Sequence, residues 1–282
     1  MARGKTIKLF LLDDVPSGRI KCSLANWTGI AYRIPRTALG WCRDMAILKQ
    51  SGVYFLLGTD REDNAVVYVG QAGIRKNGQG LLFRIQEPHP VMDYWTEAIL
   101  FTTTNNSFGP TEISYLENRF YNMAIQAGRY RVRNGNDPNP GNITEETESE
   151  LEEFIDYAKI IMGVLGHRVF EPIVAVATTE DGEPILFFEY GKARATGKRT
   201  SDGFVVLRGS KIHPEVVKSC PKRAVQDRLR YAEYLDEEGM LETDLLFHSP
   251  SAAASFVGGA SLNGNALWKN AEGKMLKELS GE

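Results

Sequence analysis

Runs of apolar residues with strand or helix spacing divide the chain into elements separated by polar turns. Pro35 opens a stretch with helically spaced Leu39, Met45 and Leu48, which predicts a helix over 35–49. Thr144 is the expected N-cap of a long acidic helix. The other predicted helices cover 81–85, 111–127, 144–165, 223–235 and a segment starting at Ser249-Pro250. The predicted strands cover 5–12, 19–24, 29–34, 52–57, 65–69, 94–102, 185–190, 203–207 and 241–247.

The clearest of these patterns is a β-hairpin, in which two apolar runs flank the polar segment 58–64. If the turn is centred near Arg61, Phe55 faces Val67 and Tyr54 lies directly opposite Tyr68. Side chains alternate along a strand, so both tyrosines are expected on the same side of the sheet. A register shift by one residue would separate them.

The length of 282 residues and an ordinary apolar fraction of 43% favour more than one globular domain. The order of elements predicts an α/β (α+β) protein with a small antiparallel sheet flanked by helices. We expect a β-rich N-terminal segment over 1–50, a central domain over 51–172, a linker with a first strand over 173–200, and a small α+β accessory domain over 201–282.

Charge is distributed unevenly along a chain whose net charge is −3. Residues 1–50 contain nine basic and three acidic residues, whereas residues 51–172 contain ten and seventeen. The basic segment can supply a phosphate-facing edge, or it can be ordinary solvated surface. The acidic run after Thr144 is interpreted as a solvated helix face.

Three cysteines lie far apart, so neither a disulfide framework nor a structural zinc site is expected. The sequence shows no membrane-spanning stretch and no signal-peptide pattern. A cytoplasmic protein without a membrane partner is therefore the expectation. The sequence leaves the oligomeric state open.

Gly52-Val53-Tyr54 and Val67-Tyr68-Val69-Gly70, followed by Arg84, His89 and Glu117, resemble the ordered motifs of the GIY-YIG nuclease family. Valine replaces isoleucine in both triplets. The resemblance covers about 51–172. It implies a metal-dependent phosphodiesterase in which one of Tyr54 and Tyr68 is the general base and the other positions it.

The chemistry of phosphodiester hydrolysis explains this set of residue types. Glu117, at the border of a helix's apolar face, can hold Mg²⁺ (or Mn²⁺) that keeps several of its waters. Arg84 offers a permanently charged, bidentate phosphate donor. A tyrosine whose pKa is lowered by the metal and the arginine can take a proton from water.

Several candidate positions keep an alternative. His89 is either an active-site helper or a plain loop histidine. The asparagine that the family places after the glutamate helix corresponds to Asn134 or to Asn136, and turn formation explains either equally well. The segment 73–80 resembles an insertion, within which Arg75 competes with Arg84. Asn118 faces away from the apolar stripe and is a poor candidate.

The C-terminal segment resembles a small uncharacterised domain that often follows GIY-YIG domains in bacteria. By association this implies contact with DNA, although a structural or oligomerising module is an equal alternative. The leading hypothesis for the whole chain is a Mg²⁺-dependent endonuclease acting on nucleic acid, with DNA preferred over RNA. The alternative is a non-catalytic nucleic-acid-binding or regulatory protein with the same fold.

Overall fold

The computed structural model describes residues 4–74, 79–135, 137–172, 183–200 and 202–279. Over these residues the fold is mixed α+β, as the sequence predicts. Contacts divide the chain into an N-terminal unit, 1–172, and a C-terminal unit, 173–282. Among the described helices, none has the length and apolar composition needed to cross a bilayer.

The N-terminal unit is built on a seven-stranded sheet with the order β1-β2-β3-β6-β4-β5-β7. Neighbouring strands are antiparallel, except that β7 runs parallel to β5. Because β3 pairs with β6, the strands of residues 1–50 continue the sheet of residues 51–172 and form no separate segment. The strands are β1 (Ile7–Leu11), β2 (Ile20–Leu24), β3 (Gly29–Pro35), β4 (Gly52–Thr59), β5 (Ala65–Ala72), β6 (Trp95–Thr103) and β7 (Arg131–Val132).

Helices cover both faces of this sheet. The long helices α2 (Pro110–Ala127) and α3 (Glu145–Val164) pack on one face. The short helix α1 (Leu81–Gln86) and two 3-10 segments pack on the other. Thr144 caps α3 as predicted, and its side chain accepts a hydrogen bond from the Thr147 amide.

The predicted helix over 35–49 is wrong, because two 3-10 segments, Arg36–Cys42 and Ala46–Lys49, replace it. Extended backbone at Met45 (φ −77°, ψ 96°) separates them. In one straight helix, Cys42 and Leu48 would point about 120° apart. The break allows both to be fully buried against the same side of the sheet.

Strand β4 lies between β5 and β6, which explains its almost uninterrupted apolar sequence. Val53 and Phe55 enter the core under α2 and α3. Tyr54 and Leu56 point to the opposite face, where α1 packs. The tyrosine of the first motif therefore lies in a second, separate core.

The C-terminal unit contains a four-stranded antiparallel sheet with the order β11-β10-β9-β8. The predicted helix over 223–235 ends earlier, at Arg230. Ser249 caps the following helix as predicted, accepting a hydrogen bond from the Ala252 amide. The elements are β8 (Leu186–Tyr190), β9 (Ala193–Thr200), β10 (Gly203–Val206), α4 (Lys222–Arg230), β11 (Leu245–Phe247), α5 (Pro250–Gly258), α6 (Gly264–Leu267) and α7 (Leu276–Leu279).

Strand β9 is an addition to the prediction, which places no strand between residues 190 and 203. Ala193, Ala195 and Gly197 alternate with polar residues and are buried, but such small side chains give a weak apolar pattern. Thr200 at its end pairs with Gly203 of β10. A domain boundary between 200 and 201 would therefore cut a hairpin within one sheet.

Candidate active site

The tyrosine hairpin forms, but its register differs from the prediction. Tyr54 pairs with Gly70, and Tyr68 pairs with Leu56. The expected direct pairing of the two tyrosines is therefore wrong. The shift is by two residues, and since side chains alternate with period two, both tyrosines remain on the same face.

The turn of the hairpin explains the shift. The Asp60 carboxylate accepts hydrogen bonds from the backbone amides of Glu62 and Asn64. Asp63 adopts a left-handed conformation with φ 61°. These contacts centre the loop on Glu62 instead of Arg61, which moves every cross-strand partner by two residues.

Gly70 makes room for the ring of Tyr54. A Cβ atom at Gly70 would lie 2.4 Å from Cζ and 2.5 Å from Oη of Tyr54. The tyrosine ring thus lies directly over the backbone of β5, at the position of the second motif's glycine. The first motif's glycine, Gly52, is equally constrained, because its Cβ would lie 2.2 Å from the Phe101 carbonyl oxygen.

Tyr54, Tyr68 and His89 form a compact cluster of rings. The ring centroids are 6.2 Å apart for the two tyrosines, 5.9 Å for Tyr54 and His89, and 5.7 Å for Tyr68 and His89. His89 is only 7% exposed, so it packs as part of the cluster. Its Nε2 lies 3.2 Å from the Arg84 carbonyl oxygen. A carbonyl only accepts, so Nε2 carries a proton.

Arg84 lies on α1, beside the tyrosines. Its Nη1 donates to the Glu87 carboxylate at 2.8 Å, which holds the half-buried guanidinium at this position. Burial lowers the pKa of Arg84, but the neighbouring Tyr54 oxygen and the hydrogen bond to Glu87 more than offset this, so the pKa lies above its ordinary value. A phosphate that binds Arg84 would share the guanidinium with the Glu87 carboxylate or displace that carboxylate.

The hydroxyl of Tyr54 is buried and has no hydrogen-bond partner among the described residues. Burial raises its pKa far above the ordinary tyrosine value, and the negative charges of ionised Tyr68 and Glu117 add to this rise, while Arg84 opposes it. Tyr54 is therefore protonated at neutral pH. The pKa of His89 is lowered by burial and by Arg84, so its ring is neutral.

Glu117 on α2 is the acidic member of this neighbourhood. Its Oε2 accepts a hydrogen bond of 2.9 Å from Nε2 of Gln71, the residue after Gly70. Ser114, one turn earlier on α2, also bonds to the Gln71 amide, at 3.2 Å. Burial raises the pKa of Glu117, while Gln71 and Arg84 act in the opposite direction.

Gln71 and Ser114 were not predicted, although the sequence contained a signal for them. Gln71 interrupts the alternating valines Val67 and Val69 on the face that packs under α2. Ser114 and Glu117 are three residues apart on α2, so they share a face. A polar strand residue facing two polar helix residues predicts a hydrogen-bonded contact.

A divalent cation at Glu117 would have this carboxylate as its one acidic protein ligand among the described residues. No Lys, Arg or His of the described residues lies within ion-pair distance of its partly buried carboxylate, so a bound cation would neutralise it. In the described ranges no group of three or more acidic, His or Cys side chains could share the ion. A cation held there would keep most of its waters, as Mg²⁺ commonly does.

Asn134 supports the edge of β5. Its Oδ1 accepts from the Val69 amide at 3.0 Å, and its Nδ2 donates to the Val69 carbonyl at 2.7 Å. Both polar groups of the amide are thereby used next to Tyr68 and Gly70. In this structure Asn134 is a positioning residue.

The remaining candidates fall elsewhere. Asn136 and Arg75 lie outside the described residues. Asn118 on α2 is buried by the chain that follows β7, not by the apolar core. Its Nδ2 donates to the Pro138 carbonyl and to Asp137, which fixes the chain after β7.

The N-terminal unit thus combines a mixed α+β fold with a buried tyrosine pair, an adjacent arginine and a carboxylate across the strand. Comparison with protein families matches residues 186–280, within the C-terminal unit, to a domain of unknown function, DUF4357. No curated protein and no solved structure matches the chain.

Proposed function

We propose that the protein is a metal-dependent endonuclease that hydrolyses phosphodiester bonds in DNA, with the active site of a GIY-YIG-type nuclease. The observation that carries this proposal is the clustering of Tyr54, Tyr68, His89 and Arg84 on one face of the β4–β5 hairpin. Glu117 lies on α2, on the other face of the sheet, where it is hydrogen-bonded to Gln71 at the end of β5, and its charge influences Tyr54 and Arg84.

Each side chain has a task in this reaction. Arg84 binds a non-bridging phosphate oxygen and stabilises the charge that develops on it. Tyr54 is protonated and fully buried beside Tyr68, so its task is to position Tyr68. Tyr68 is only half-buried, and in its phenolate form it is assigned the proton of the attacking water.

Glu117 would hold the cation. A bound Mg²⁺ or Mn²⁺ would supply positive charge at the phosphoryl oxygens and lower the pKa of a bound water. Gln71 fixes the orientation of the carboxylate through Oε2. His89 packs against both rings and donates to the Arg84 carbonyl, which holds the start of the following loop against α1.

The proposal is tested by incubating the full chain with plasmid, linear DNA and RNA in Mg²⁺, Mn²⁺ or EDTA. We expect cation-dependent cleavage of DNA, and a Glu117→Gln rate at least about 100-fold lower. The variant should keep its melting temperature, because a neutral amide removes the cost of burying a charge. Glu150→Gln, at an exposed position of α3, is the matched control.

Full activity in Glu117→Gln would refute the assignment of the metal ligand. Nucleic-acid binding without cleavage under every cation would favour the alternative, a binding protein with the same fold.

A further inference from the structure

The outer strand β8 of the C-terminal sheet carries one aromatic ring that points away from the core, on a face that is closed farther along at the fully buried Val205. Leu186 and Phe188 of β8 point into the core together with Ala195 of β9. Phe187 points the other way and is 46% exposed. A ring this exposed on a strand is unusual, because strand phenylalanines normally contribute to a core.

The strand register surrounds this ring with basic residues. Phe187 pairs with Thr196 on one side and with Lys269 on the other, and antiparallel partners share a face. Arg194 and Lys198 lie two residues before and after Thr196, so they are diagonal neighbours of the ring. Lys211, paired with Arg194, extends the same face. We call this surface the Phe187 face (Phe187, Arg194, Thr196, Lys198, Lys211 and Lys269).

Positive charge on the Phe187 face is only partly neutralised. Arg194 lies 3.5 Å from the Glu189 carboxylate. Within the described ranges, no carboxylate lies within ion-pair distance of Lys198, Lys211 or Lys269. A local excess of basic groups in a chain of net charge −3 indicates an anionic partner.

Two features of the Phe187 face act together on one ligand class. An exposed ring stacks on an unpaired base, and cations spaced around it contact the phosphates on either side. Paired bases in a duplex cannot reach such a ring without unstacking. We propose that the Phe187 face binds single-stranded nucleic acid, with a base stacked on Phe187.

This inference goes beyond the proposed cleavage site, because every residue of the Phe187 face lies in the C-terminal unit. It also stands if the chain has no nuclease activity, since binding is measured in EDTA, without cleavage.

The test measures fluorescence anisotropy of labelled single-stranded DNA, single-stranded RNA and duplex DNA, each about 12 nucleotides or base pairs long, with the full chain in EDTA. Phe187→Ala should weaken binding to single strands about tenfold or more and leave duplex binding unchanged. Phe187→Tyr should retain binding. The DNA and RNA arms decide which single strand is preferred.

A triple alanine variant at Arg194, Lys198 and Lys269 should make the affinity less dependent on salt. The magnitude of the negative slope of log affinity against log salt concentration should fall by about 2. The controls are Leu229→Ala, which removes another exposed apolar side chain of this unit, and a triple variant at Lys218, Lys222 and Lys277, which removes equal charge. Unchanged single-strand affinity in Phe187→Ala overturns the proposal. It is also overturned if the control triple variant loses as much salt dependence as the triple variant of the Phe187 face. A changed oligomeric state with unchanged affinity makes the surface an interface between copies and also overturns it.

Discussion

At the scale of single residues, the two tyrosines differ in environment although their motifs look alike. Tyr54 is completely buried, and its raised pKa keeps the proton on its hydroxyl. Tyr68 is half-buried and pairs with Leu56 at the open side of the hairpin. The sequence left the roles of the pair undecided, and burial is the property that separates them.

Phenylalanine substitutions test these roles. Tyr54→Phe and Tyr68→Phe should each lower the cleavage rate about 100-fold or more. The loss should be larger in Tyr68→Phe, which removes the atom that accepts the proton, than in Tyr54→Phe, which removes its positioning neighbour. Both variants should keep the loss of activity at acid pH, because protonation of Glu117 removes the cation. Burial raises the pKa of this carboxyl, which moves the loss toward higher pH.

The measurement is the pH dependence of single-turnover rates for the wild type and both variants. A larger loss of rate in Tyr54→Phe than in Tyr68→Phe would show that the two roles are reversed.

At the scale of elements, the site depends on how closely β4 and β5 approach. The Tyr54 ring occupies the space that a side chain at position 70 would need. Asn134 holds the outer edge of β5, and Gln71 ties the end of that strand to Glu117 on α2. The hairpin is therefore fixed on both sides of the tyrosines.

Gly70→Ala should destabilise the protein by about 1–3 kcal/mol and reduce cleavage, because the new methyl group displaces the Tyr54 ring. Gly135→Ala is the control, since a Cβ there meets nothing within 4 Å. Unfolding in denaturant measures the effect. In a double-mutant cycle, Tyr54→Leu should recover part of the loss caused by Gly70→Ala. Additive effects would show that the ring does not set this constraint.

At the scale of the whole molecule, the structure indicates a truncation boundary after residue 172. Val169 and Phe170 belong to the core of the N-terminal unit. Arg129 donates to the carbonyls of Glu171 and Pro172. A fragment of residues 1–172 keeps these contacts, whereas a cut at 201 would divide the C-terminal sheet.

We expect the fragment 1–172 to fold and to cleave at saturating protein concentration, but to bind nucleic acid more weakly than the full chain. The reason is that the proposed catalytic residues all precede residue 172, while the Phe187 face follows it. Circular dichroism checks folding, and single-turnover kinetics separates binding from chemistry. A folded fragment that cleaves at no concentration would contradict this division of tasks.

The sequence predicted most of the elements and the order of the motif residues, because strong apolar periodicity and capping residues such as Thr144 and Ser249 act locally. The sequence did not predict strand β9, because its small residues form a packed core only when neighbouring strands and a helix cover them. The helix break at Met45 has the same cause, because packing against the sheet determines which side chains of this segment are buried.

The sequence by itself determined that Tyr54 and Tyr68 share a face, because alternation along a strand survives a shift of two residues. Only the tertiary structure decided three contacts of the site. Tyr54 lies over Gly70, and Gln71 donates a hydrogen bond to Glu117. The side-chain amide of Asn134 forms its hydrogen bonds with the backbone of Val69. Those contacts join residues distant in the chain. They depend on a turn that Asp60 closes one residue later than expected, and on packing that no local pattern encodes.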